Sequence, residues 1–101
     1  MAIVSQQTTA VNTPSIQSGT TALNANTART GWYIVNVGTN PLYVLMGNGA
    51  SATVWHIPLA GASVQDNGTG GSTGQEYGVI YTGIITVYGV SPRYICTEFA
   101  A

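Results

Sequence analysis

The run from Thr30 to Met46, Thr-Gly-Trp-Tyr-Ile-Val-Asn-Val-Gly-Thr-Asn-Pro-Leu-Tyr-Val-Leu-Met, is the most apolar stretch of the chain. β-Branched and aromatic residues on both sides of Gly38-Thr39-Asn40-Pro41 favour strands. Glycine in the turn permits positive φ, and proline lacks the N–H that a central strand needs. The stretch reads as a β-hairpin with Val37 opposite Leu42. Alternation then puts Tyr33, Val35, Val37, Leu42, Val44 and Met46 on one face, and Trp32, Ile34, Asn36, Tyr43 and Leu45 on the other. Both faces are apolar, whereas a strand with one wet side shows a polar residue at every second position. Such a hairpin needs two covers, its own core and something else.

An echo of this stretch lies near the end of the chain. Gly38-Thr39-Asn40-Pro41-Leu42-Tyr43-Val44 and Gly89-Val90-Ser91-Pro92-Arg93-Tyr94-Ile95 share the pattern G-x-(N/S)-P-x-Y-(V/I), and a Thr-Gly pair opens each copy at Thr30-Gly31 and Thr82-Gly83. The first arms differ by one residue, which requires a bulge or a register change. Two copies are too few for a solenoid and suit two hairpins of one β-sandwich. In the second copy, Tyr88 opposite Arg93 turns Ile85, Val87, Tyr94 and Cys96 inward and Thr86, Tyr88, Arg93 and Thr97 outward, an amphipathic pattern with one side to solvent.

A chain of 101 residues is one domain, with a folded surface of about 5,400 Å² against roughly 15,000 Å² unfolded. The expected fold is all-β: a single small antiparallel β-sandwich, jelly-roll-like, or a β-barrel, with about seven or eight short strands. Charge is the outlier. The chain has two arginines, no lysine, one aspartate and two glutamates, where about a quarter of residues is usual. Sparse charge defends a surface poorly against association, so much of it should be covered in use. Nucleic acid is not an expected partner, because phosphates are bound by clusters of Lys and Arg and this chain holds only Arg29 and Arg93. An anionic membrane surface is unexpected for the same reason.

Residues 1–28 are rich in Thr, Ser, Gln and Asn, with isolated apolar positions, and read as edge strands or an extended arm. Met-Ala-Ile-Val-Ser-Gln-Gln has neither a basic region nor a long apolar core, so no signal peptide is expected, and no run has the length of a transmembrane helix. Synthesis in a cytoplasm follows. Gly47-Asn48-Gly49 reads as a turn, followed by a strand from Ser51 to Ile57 that Pro58 ends. Gly47-x-Gly49-x-x-Ala52 matches a dinucleotide fingerprint, but Thr53-Val54-Trp55-His56-Ile57-Pro58 stands where its helix should begin. Asp66 to Gly74 lacks the lysine of a phosphate loop and the spaced ligands of a calcium loop, and reads as a mobile tip. Its sequon, Asn67-Gly68-Thr69, is silent without secretion. Strands are expected again over Tyr77–Tyr81, Ile84–Tyr88 and Arg93–Phe99.

Residues able to do chemistry are few. His56 is the single histidine, and Asp66, Glu76 and Glu98 are the only acids. A Ser, His56, Asp66 triad is arithmetically possible but has no nucleophile elbow around it. A zinc site would exhaust His56, Cys96 and the acids, and the spacing of the carboxylates does not suggest a glycosidase pair. Cys96 alone forms no intrachain disulfide and reads as a small buried hydrophobe. No catalytic residue, cofactor or metal is expected, and the chain does not read as an enzyme. The aromatics remain: Trp32, Trp55 and six tyrosines are residue types enriched at interfaces and on sugar-binding platforms. Trp32, Ile34, Tyr43 and Leu45, on the second face of the first hairpin, together with Trp55, are the candidate interface.

Thr30 to Phe99 resembles small virion structural proteins of tailed bacteriophages, in particular head decoration or cement proteins. The similarity lies in the Gly-Trp-Tyr-Ile-Val-Asn-Val-Gly-Thr-Asn-Pro-Leu-Tyr-Val run, the glycine-rich tip and the closing Thr-Gly-Ile-Ile-Thr-Val-Tyr-Gly-Val-Ser-Pro-Arg-Tyr-Ile. The resemblance implies a β-sandwich or barrel on the capsid exterior, often a homotrimer, which binds the major capsid protein of an assembled head and holds capsomers together. It carries no functional residue over to a position of this chain. The alternative is a fibre, spike or baseplate component, or a β-sandwich glycan-binding module, meeting glycans through Trp55 and the tyrosines.

Overall fold

The computed structural model describes residues 9–10 and 14–100, so the remainder of the possible N-terminal arm lies outside the described residues. Among them are nine strands and no helix: β1 (Thr9–Ala10), β2 (Ile16–Gln17), β3 (Thr21–Leu23), β4 (Arg29–Asn36), β5 (Leu42–Leu45), β6 (Ile57–Leu59), β7 (Ser72–Gln75), β8 (Ile85–Gly89) and β9 (Tyr94–Ala100). β1 and β2 lie end to end along β9, so the edge they form is a single interrupted strand. One sheet runs β1/β2-β9-β4-β7 and the other β3-β8-β5-β6, with antiparallel pairing throughout. Counting the interrupted edge once, this is the eight-stranded order of a jelly roll, with two open sheets rather than a closed barrel.

Nearly every connection crosses from one sheet to the other, and this overturns both expected hairpins. β4 belongs to the first sheet and β5 to the second; β8 belongs to the second and β9 to the first. Each copy of the G-x-(N/S)-P-x-Y-(V/I) pattern is therefore a corner between layers, and the two corners lie side by side because β4 pairs with β9 and β5 with β8. Asn36 holds the first corner. Its Nδ2 donates to the carbonyls of Asn40 at 2.8 Å, Ala60 at 3.1 Å and Leu59 at 3.3 Å, while Oδ1 accepts from the Gly38 N–H at 3.1 Å. Val37 and Gly38 N–H both reach the Arg93 carbonyl, and Asn40 Nδ2 reaches that of Val90, so the second corner braces the first.

Crossing between layers decides which side chains meet. Trp32 and Ile34 of β4 face Leu42 and Val44 of β5 across the sandwich, and Leu59, Ile85, Val87, Tyr94, Cys96 and Leu23 complete the core. The inward set expected for β8 and β9 is the one found. Polar atoms among these apolar groups are paired: Trp32 Nε1 donates to Gln75 Oε1 at 2.9 Å, and the Tyr94 hydroxyl to the Gly19 carbonyl at 2.7 Å. Burial pushes the Cys96 thiol and the Tyr94 phenol each up to about 12, which keeps the thiol protonated and unreactive at neutral pH. No buried side-chain nitrogen or oxygen among the described residues lacks a partner.

Three further expectations are corrected. Ser51–His56 is a folded loop, and Pro58 lies inside β6, where an edge strand paired only with β5 does not need its missing N–H. Residues 77–81 form a loop with Tyr77 and Val79 exposed at 85% and 93%. The glycine-rich segment is bound in rather than free: its last three residues belong to β7, and Cβ atoms on Gly70 and Gly74 would collide with the Asn36 and Trp32 carbonyl oxygens. Glycine is there because two backbones touch.

Arg29 ties the far end of the sandwich. Its side chain is wholly buried, with Nε on Glu98 Oε2 at 2.7 Å, Nη1 on the carbonyls of Tyr81 and Gly83, and Nη2 on that of Asn24 at 2.6 Å. One cation thus joins β4, β9, the β3–β4 turn and the β7–β8 loop. Arg29→Ala and Asn36→Ala should each lower the unfolding free energy by about 3 kcal/mol or more in urea denaturation, because each leaves several buried partners unsatisfied.

Candidate functional site

The jelly roll turns one face of each sheet outward, and the two faces differ. On the first sheet, Val35, Ile95 and Ile16 form one register row and Tyr33 and Thr97 the next, with Phe99 beyond. Tyr33 and Phe99 meet edge to face, ring centroids 5.9 Å apart. Ser72 and Gly74 of β7 extend the rows. None of these outward residues is charged. Glu76, just past β7, accepts a hydrogen bond from the Tyr33 hydroxyl, which raises the pKa of that phenol. At this margin Thr30, Gly31, Glu76 and Phe99 line a hollow of about 240 Å³.

On the second sheet one register row reads Pro58, Tyr43, Tyr88 across β6, β5 and β8. The eleven-residue span between β5 and β6, 46–56, folds back over this side. Thr86 Oγ1 donates to the Gly47 carbonyl at 2.7 Å and accepts from the Ala50 N–H at 3.1 Å, which buries an outward threonine. The His56 N–H donates to the Val44 carbonyl, and His56 Nδ1 accepts from the Met46 N–H at 3.0 Å. Trp55 then lies beside Tyr43 with ring centroids 5.2 Å apart and planes 36° apart, and Tyr43 beside Tyr88 at 6.4 Å and 31°.

These positions correct the candidate interface. Trp32 and Ile34 are fully buried in the core, because the corner places them against the opposite sheet, and Leu45 is buried on the outer side of β5. Tyr43 is half-buried, and Trp55 is exposed at 39%. Tyr33, Val35, Ile95 and Phe99 are the surface residues that sequence reasoning missed, and Tyr88, read as outward, is exposed as expected. The signal was the alternation itself, read with a hairpin where the chain makes a corner.

The titratable groups are dispersed. Asp66 is held by Arg93 in a bidentate pair, Nε to Oδ1 at 2.8 Å and Nη2 to Oδ2 at 2.6 Å, beside an open groove of about 680 Å³ lined in part by Gln65, Pro92 and Ile16. No hydrogen bond joins His56 to Asp66, and the described residues contain no cluster of three or more His, Cys, Asp or Glu able to hold a metal. No helix among them is long and apolar enough to cross a membrane. Comparison with family models, curated proteins and solved structures finds no match.

Arg93 beside Asp66 lowers the pKa of that carboxyl from 3.8. The pair therefore adds stability above that value, and the contribution disappears as pH falls through the depressed folded-state value. In acid titrations of thermal stability, Asp66→Asn should lie below the wild type at neutral pH and converge with it in strong acid.

Proposed function

We propose that this chain is a bacteriophage virion structural protein, a capsid decoration or cement protein. In this reading it binds the major capsid protein of the assembled head from outside as a homo-oligomer, with a trimer favoured, and has no catalytic role. The observation that carries the reading is the outward side of the first sheet. Tyr33, Val35, Ile95, Phe99 and Ile16 form a continuous apolar surface on a chain with almost no charge to keep it apart from other molecules.

Apolar and aromatic area with few charges is what the centre of a protein interface is made of, and the hollow beside Phe99 offers a partner side chain somewhere to insert. Binding only to the assembled lattice stabilises the lattice by mass action, and many symmetric copies make individually modest contacts strong together. The jelly roll recurs in viral capsid proteins, but it also occurs in lectins, so the fold supports the reading without deciding it.

Ile95→Asp places a charge in the middle of this surface while leaving the core untouched. The variant should fold with an unchanged far-UV spectrum, sediment as a monomer, and fail to raise the melting temperature of expanded phage heads that the wild-type protein stabilises. Particle binding unchanged from wild type would refute the assignment of this face.

A further inference from the structure

The row on the second sheet is a separate surface, and its geometry differs from that of a patch awaiting burial. We propose that Tyr43, Trp55 and Tyr88 form a binding site for a neutral saccharide, stacking the C–H faces of pyranose rings against the aromatic rings. The three rings lie in sequence across the sheet, with neighbouring planes within 31° and 36° of each other. Trp55 and Tyr88 keep 39% and 37% of their surface exposed, although both are large and apolar.

The rings are held before any ligand arrives. Tyr43 stands on β5, which is paired on both sides. Trp55 Nε1 donates to the Ala52 carbonyl, and Ser51 closes the turn beneath it by accepting from the Thr53 and Val54 N–H groups. Little side-chain or loop freedom is then lost on binding. Polar groups suited to hydroxyls belong to the rings themselves or adjoin them in sequence. The Tyr43 and Tyr88 hydroxyls form no hydrogen bond with other described residues. His56 Nδ1 must accept from the Met46 N–H, which leaves Nε2 as the donor of the neutral ring.

Charge selects the ligand class. Arg29 is buried in its own network, Arg93 is paired with Asp66, and the chain has no lysine. A nucleobase would stack on such rings equally well, but its phosphates would meet no cation; sulfated and other acidic glycans fail on the same ground. An uncharged sugar, apolar on its ring faces and hydroxylated at its rim, matches what is present.

The test is to titrate the intact protein with a panel of neutral oligosaccharides built on glucose, galactose and N-acetylhexosamine, following tryptophan emission. Trp32 is fully buried and supplies a constant background, so a change reports Trp55. A saturable shift with at least one member is expected, with affinity at least tenfold weaker in Trp55→Ala and Tyr88→Ala, largely kept in Trp55→Phe, and unaltered in Ile95→Asp. The proposal is overturned if no neutral saccharide binds, if only acidic glycans bind, or if affinity survives in both alanine variants. It also fails if these variants lose particle binding while no sugar binds, since the platform is then a protein contact. Because Ile95→Asp acts on the other sheet, failure here leaves the decoration reading standing, and the reverse.

Discussion

The structure depends on how the chain turns at Gly38–Pro41. Two apolar β runs joined by a short turn either pair edge to edge or pass from one layer to another, and Asn36 decides for the second. Its amide is almost fully buried and gains hydrogen bonds only if the carbonyls of Leu59, Ala60 and Asn40 are brought around it. A hairpin that buried the amide without the Leu59 and Ala60 carbonyls would leave it short of partners, at about 1–3 kcal/mol for each unsatisfied group. The second corner repeats the arrangement in reverse, and Arg93 contributes twice there, with its carbonyl to the Val37 and Gly38 N–H groups and its guanidinium to Asp66.

Everything on the surface follows from that parity. With Trp32 and Ile34 inward, Tyr33 and Val35 are necessarily outward, and the first sheet shows an apolar exterior. The second sheet has two apolar sides as well, but its own 46–56 span covers Leu45 and Thr86 and leaves the rings of Tyr43, Tyr88 and Trp55 at the surface. A chain with so little charge also uses what it has internally: Arg29 and Arg93 both bind carboxylates of the same molecule. Apart from Glu76 and the Asp66–Arg93 pair, what the described residues leave outside is mainly hydroxyls, amides and apolar groups.

Much of the fold was legible in the sequence. Period-2 alternation, glycine and proline punctuation and runs of β-branched and aromatic residues gave the all-β class, and the repeated pattern marked two equivalent places in the sandwich. Pairing was not legible, because local composition does not distinguish a hairpin from a corner. The distinguishing residue, Asn36, acts through carbonyls more than twenty positions away. Arg29 and Glu98 were equally hidden, since their contact spans 69 positions and neither has a local motif. Tyr77 and Val79 misled in the other direction, being β-forming types in an exposed loop. Trp55 was legible as an interface candidate by residue type alone, since the strand expected around it, Ser51 to Ile57, is a folded loop up to His56.

The central claim is that β4 and β5 lie in different sheets, so that Tyr33 and Val35 of β4 face outward. Interstrand backbone NOEs measured on the labelled protein test it most directly. The account predicts contacts joining Tyr33 to Thr97 and Val35 to Ile95, and Tyr43 to Tyr88, with no ladder between β4 and β5. A ladder pairing Val37 with Leu42 and Val35 with Val44 would contradict it, and with it the assignment of both outer faces.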